Sequence, residues 1–190
     1  MFEIPIRKDE ALSYLQKKYG EVFMLRASTS ISLDQLHAEL FFVSESHPDV
    51  PLKVMDDMHG FRDNYYGTLI RDQYQAILDR VVGEEDRIFF RLRSAAFPDE
   101  FRDPAAFPEL LAQNPACFTS NLFWFVSDPA RADEVRFREV ADCLRAEHIT
   151  GMLLCYVADP EQLSGLTAEN WSGCITGPGA LRAVRSEMLR

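Results

Sequence analysis

The chain has 190 residues, with 20 Lys and Arg against 30 Asp and Glu, a formal net charge of -10 and a pI near 4.9. A field of that sign repels phosphate backbones and anionic headgroups, which argues against generic nucleic-acid binding and membrane-surface docking. With 47% hydrophobic and 26% charged residues, 9 Gly and 10 Pro, the composition excludes collagen-like and low-complexity chains, and one domain over 1–190 is expected.

Asp9 to Tyr19 sets Ala11, Leu12, Leu15 and Tyr19 on one face and meets Gly20, the pattern of an amphipathic helix stopped by glycine. A strand is expected at Val22 to Leu25. Ser32 is placed to cap a short helix over Leu33 to Ala38, which leads into an apolar strand, Leu40 to Val43. Ser44 to Tyr66 reads as the longest polar connection, with a short helix around Leu52 to Met58. Thr68 to Val82 carries an apolar stripe at Ile70, Tyr74, Ile77, Leu78 and Val81 with Gly83 just beyond, and predicts a helix. Arg87 to Arg93 alternates with period two, turning Ile88, Phe90 and Leu92 inward and Arg87, Phe89, Arg91 and Arg93 outward, as in a half-buried edge strand. A Pro- and Phe-rich connection comes next, with a short helix near Ala105 to Ala112.

Cys117 to Val126 and Met152 to Val157 are apolar on both faces, the mark of strands in the middle of a sheet. Between them Asp133 to Glu147 repeats Phe137, Val140, Ala141 and Leu144 at helical spacing, which predicts a parallel crossover. A short strand near Cys174 and a helix from Gly179 to Met188, carrying Leu181, Val184 and Met188, are expected to close the chain. The fold class is therefore α/β: a single domain with a mixed, partly parallel sheet and helices on both faces.

Charge interrupts the first sixteen residues before an apolar leader core forms, and no run approaches the roughly 18 apolar residues of a membrane span. A soluble, cytoplasmic protein is expected. Cys117, Cys143, Cys155 and Cys174 form no CxxC pair and read as reduced, buried thiols. The four histidines offer no HExxH.

Four groups of residues are candidates for chemistry. Both central strands finish in Val-x-Asp-Pro, so parallel neighbours would bring Asp128 and Asp159 to one carboxyl edge, where two carboxylates could share Mg²⁺; each Asp-Pro also reads as a helix cap. Gly177-Pro178-Gly179 before a helix would offer backbone N–H groups to a phosphate, though it lacks the lysine of a P-loop. Arg87, Arg91 and Arg93 form a positive stripe able to clamp an acidic ligand or simply to pair with neighbouring carboxylates. His47, Asp49, Asp56, Asp57, His59 and Asp63 supply ligand and acid/base types within one polar stretch. Phe97, Phe101 and Phe107 either pack as core or offer aromatic anchors.

No complete catalytic signature is present. The favoured expectation is a regulatory protein, inhibitor- or immunity-like, that engages a basic protein partner through acidic surface and a Phe-rich loop; the binding candidates over both readings are Arg87, Arg91, Arg93, His47, His59, Gly177 and Gly179, the glycine turn being the phosphate site of the alternative. The alternative is a hydrolase or transferase acting on a phosphorylated small molecule, with Asp128 and Asp159 as catalytic metal ligands and Mg²⁺ as its cofactor.

Overall fold

The computed structural model describes residues 7–29, 38–57, 60–94 and 96–190. The chain divides into two compact units, Met1–Ile70 with Ser94–Phe107, and Arg71–Arg93 with Pro108–Arg190.

In the first unit, α1 (Lys8–Tyr19) ends at Gly20, whose left-handed φ of 70° lets its N–H return to the Gln16 carbonyl at 2.8 Å. Four strands come after it, β1 (Phe23–Ser28), β2 (Ala38–Ser44), β3 (Leu52–Asp57) and β4 (Gly60–Asp63), antiparallel in the order β1-β2-β3-β4. Ala11 and Leu15 of α1 pack on Phe23, Leu40, Phe42, Leu52 and Val54. The helix expected to start at Ser32 lies outside the described residues apart from Ala38, which opens β2. The helix expected over Leu52 to Met58 is instead a strand: Leu52, Val54 and Asp56 are buried while Lys53 and Met55 are half-exposed, a two-residue alternation that β2 stabilises by pairing Leu52 with Phe42 and Val54 with Leu40.

The expected helix over 68–82 forms as two pieces, α2 (Tyr65–Leu69) and α3 (Arg71–Val82), broken at Ile70 where the first unit's N-terminal segment ends. The second unit holds a sheet of order β5-β6-β7-β8, made of β5 (Arg87–Leu92), β6 (Ser120–Val126), β7 (Gly151–Val157) and β8 (Ala183–Leu189). As expected, β6 and β7 are parallel and central, paired from Ser120↔Gly151 to Val126↔Val157. α4 (Phe107–Gln113) comes ahead of β6, and the crossover helix α5 (Glu134–Ala146) joins β6 to β7. β5 and β8 flank the pair antiparallel, and α6 (Pro160–Ser164) comes directly after β7.

One face of this sheet packs under α3 and α5: Tyr74 lies 4.5 Å from Phe90 and Trp124 stacks on Phe137 at 6.2 Å. The other face holds Phe89, Phe123, Phe125 and Tyr156 under Leu163, Leu166 and Trp171. That cover explains why Phe89, expected on the arginine side, is 8% exposed; the Trp171 ring stacks on it at 5.7 Å. The α/β class is thus observed, with one partly parallel sheet. The chain also forms a separate antiparallel sheet that strand periodicity alone does not distinguish from the first.

The C-terminal expectation is corrected. Residues 171–175 form a 3-10 turn, and the run read as a helix from Gly179 to Met188 is β8. Leu181, Val184 and Met188 fit a helical stripe, but Arg185, Glu187 and Leu189 are the more buried set and alternate with period two. Pairing with β7 satisfies backbone groups along that strand which an isolated last helix would leave open.

Candidate functional site

Asp128 and Asp159 stand just past the paired ends of β6 and β7, and the Ala158 N–H donates to the Val126 carbonyl at 2.9 Å, extending the ladder beyond Val157. Each carboxylate caps the helical turn after it: Asp128 Oδ1 accepts from the Ala130 N–H and Asp159 Oδ1 from the Gln162 N–H, both at 2.8 Å. Among the described residues no group of three or more His, Cys, Asp or Glu side chains converges as a metal site would.

Gly177 and Gly179 both adopt positive φ, 89° and 81°, but the turn leads into a strand, so the helix start expected to hold a phosphate is absent. The arginine stripe is also dispersed in its contacts. Arg87 donates to the Glu84 and Asp86 carbonyls at 2.7 and 2.8 Å, Arg91 lies over the Trp171 ring at 5.8 Å, and Arg93 lies beyond the strand end.

The polar stretch after Ser44 does not converge. His47 Nδ1 lies 2.9 Å from the Tyr65 hydroxyl, which also contacts Glu21 at 2.7 Å and Ser44 at 2.8 Å. A phenol has one proton; donated to the Glu21 carboxylate, it leaves the oxygen to accept from Ser44 and His47. Burial raises the Tyr65 pKa, with the Glu21 carboxylate adding to it and Ser44 opposing. Ser44 is fully buried, which leaves its hydroxyl no approach for a substrate. Asp56 pairs with Arg7, Asp49 is exposed, and His59 and the Asp57 side chain lie outside the described residues.

Asp63 belongs to a centre that the sequence does not announce. Its carboxylate, fully buried, accepts from Lys18 at 2.8 Å, Tyr14 at 2.8 Å, Tyr19 at 2.6 Å and the Tyr65 N–H at 2.9 Å. Burial, then the charge of Asp63, pushes both the Tyr14 and Tyr19 phenols well above their ordinary value. The one signal available is Lys18 standing seven residues after Ala11, inside the apolar stripe of α1.

Asp86 is the second such group. Its side chain is buried against the Trp124 indole N–H at 3.1 Å and Arg131 at 3.1 Å, and burial raises its pKa despite the opposing effects of Trp124, Arg136 and Arg87. Cys155, also buried, has its thiol pushed up to about 12 by burial and Asp86, so it is an inert thiol. Cys143, by contrast, is exposed rather than buried as expected, and Cys117 and Cys174 are half-buried.

Phe97, Phe101 and Phe107 are core, each 1% exposed or less, so the Phe-rich segment provides no anchor. Accessible aromatic surface lies elsewhere in the first unit, in a cleft of about 490 Å³ lined by Asp9, Glu10, Ser13, Tyr14, Lys17 and Phe61. The Tyr14 and Phe61 rings are half-buried and 5.7 Å apart, and Asp9 and Glu10 are exposed beside them. Arg7 lays its guanidinium over the Phe61 ring at 4.6 Å while pairing with Asp56 and, at 3.6 Å, with Glu10. Carboxylates beside aromatic faces therefore already hold one guanidinium here.

Among the described residues no helix is long and apolar enough to cross a membrane. Neither a protein-family model nor a curated protein sequence matches the chain. A solved structure similar to it is the crystal structure of a DUF5037 family protein from Ruminococcus gnavus ATCC 29149, with a TM-score of 0.42 and 15% identity, covering 82% of this chain and 76% of that one. A likeness at this level carries no functional argument.

Proposed function

We propose that the protein is a cytoplasmic interaction module that engages a basic protein partner and regulates it by occupancy. The observation that supports this most is the cleft of Asp9, Glu10, Tyr14 and Phe61, beside which the chain's own Arg7 lies on the Phe61 ring between Glu10 and Asp56. A partner's arginine or lysine would meet the same chemistry, and the net charge of -10 would speed its approach. Lys17 at the rim opposes a cation, so the favoured occupant approaches over Asp9 and Glu10. For the alternative activity on a phosphorylated small molecule, the turn of Gly177 and Gly179 leads into β8 and would offer its own backbone N–H groups rather than a helix start.

The test is calorimetric titration with an arginine-rich peptide. Expected is saturable binding that weakens with salt, and about tenfold weaker binding in the double variant Glu10→Gln, Phe61→Ala. Absence of binding, or unchanged affinity in a folded double variant, overturns the reading.

A further inference from the structure

We infer that β8 is a self-association edge: a second copy of this chain pairs with it antiparallel, joining two four-stranded sheets into one. The strand ends the order β5-β6-β7-β8, so among the described residues only β7 pairs with it. It is seven residues long, without proline or lysine, and exposes two large apolar side chains, Val184 at 53% and Met188 at 41%. A sheet edge of this length presents a row of backbone N–H and C=O groups able to recruit another strand.

The sequence of β8 names the occupant. A twofold interface sets residue i against j and j against i. With the axis at Ser186, Arg185 faces Glu187 of the second copy, Glu187 faces its Arg185, and Val184 meets its Met188 at both ends. The Arg185–Glu187 pairs are then ionic on one face and the Val184–Met188 pairs apolar on the other, with Ser186 against Ser186 on the axis. Arg185 and Glu187 share the face that packs towards α5, where Arg185 donates to the Ala132 carbonyl at 2.5 Å and Glu187 pairs with Arg145, so both side chains are already held in place. The irregularity of the β7–β8 register falls at Val184, between Arg185 and Ala183, and so lies at each end of the symmetric pairing, outside its ionic centre. The opposite edge behaves in the reverse manner: β5 paired with itself about Phe89 would set Arg87 against Arg91, like charge on like. One edge of this sheet is therefore self-repelling and the other self-complementary.

Sedimentation of the full chain across a wide concentration range tests the inference. Expected is a reversible dimer in the wild type. Arg185→Glu alone and Glu187→Arg alone should each weaken it about tenfold or more, because each sets like charges together twice. An equimolar mixture of the two variants should dimerise again, since each then meets the opposite charge. Circular dichroism checks that they fold. If either does not, Met188→Lys at an exposed position decides, with association about tenfold weaker expected. A wild type that stays monomeric to millimolar concentration, a mixture of folded variants that does not reassociate, or a Met188→Lys dimer of undiminished affinity overturns the inference.

Discussion

Lys18 sits where an amphipathic helix ordinarily places an apolar side chain, and the fold compensates by surrounding it with Asp63, the Tyr14 hydroxyl and the Pro98 carbonyl. Replacing only one partner strands the other charge. Lys18→Met should therefore lower unfolding free energy by about 3 kcal/mol, read by urea denaturation, with Asp63 left buried on its tyrosine and backbone donors. Asp86 is the pH-sensitive counterpart. Burial raises its pKa above the ordinary 3.8, so the folded state binds more protons than the unfolded one, and its contribution to stability falls as pH rises through that window. Denaturation midpoints measured from pH 3 upward should show the wild type losing ground to Asp86→Asn across the window and running parallel to it above. Neither group is evident in the sequence, because a Lys in an apolar stripe or an Asp closing an acidic run before a strand acquires meaning only from distant partners such as Asp63 for Lys18 and Trp124 for Asp86.

At the scale of elements, the legible parts are those whose periodicity has no competitor. α1 and α5 can be read from spacing, since their apolar residues repeat at helical period and are bounded by Gly20 and Asp133, and the parallel pair β6 and β7 from short runs apolar on both faces joined by α5. β3 and β8 are not legible in this way, because both runs suit either period and a neighbouring strand far away in sequence makes the choice. The candidate site is less legible still: Asp9 and Phe61 lie on different elements and meet only when α1 packs on the first sheet. Two substitutions test the elements. Gly151 opens β7 at φ 131°, where an added Cβ would lie 1.8 Å from the Ser120 carbonyl oxygen, so Gly151→Ala should cost about 3 kcal/mol or more by urea denaturation. Asp159→Ala should cost about 1 kcal/mol as a lost cap, and Asp159→Asn far less. Thermal shifts with Mg²⁺ should be the same in Asp159→Asn and wild type; a metal-dependent shift lost in that variant would favour the phosphoryl-substrate alternative.

For the whole molecule, the net charge of -10 acts in opposite senses on the two associations proposed. A basic partner is drawn in by the field, so screening should slow its association and weaken it. Two copies of this chain repel one another at long range, while the Arg185 and Glu187 pairs and the apolar contacts of Val184 and Met188 act at short range. Salt screens the long-range repulsion between exposed charges more than the close, partly buried pairs. Raising ionic strength from about 0.01 M to 0.15 M shortens the screening length from about 30 Å to 8 Å, which removes most of the repulsion between copies. The dimer should therefore tighten over that range while the complex with an arginine-rich peptide loosens. Parallel salt series, sedimentation for the first and calorimetry for the second, should show slopes of opposite sign; slopes of the same sign would mean that one of the two surfaces is misassigned, and the Met188→Lys and Phe61→Ala variants would tell which.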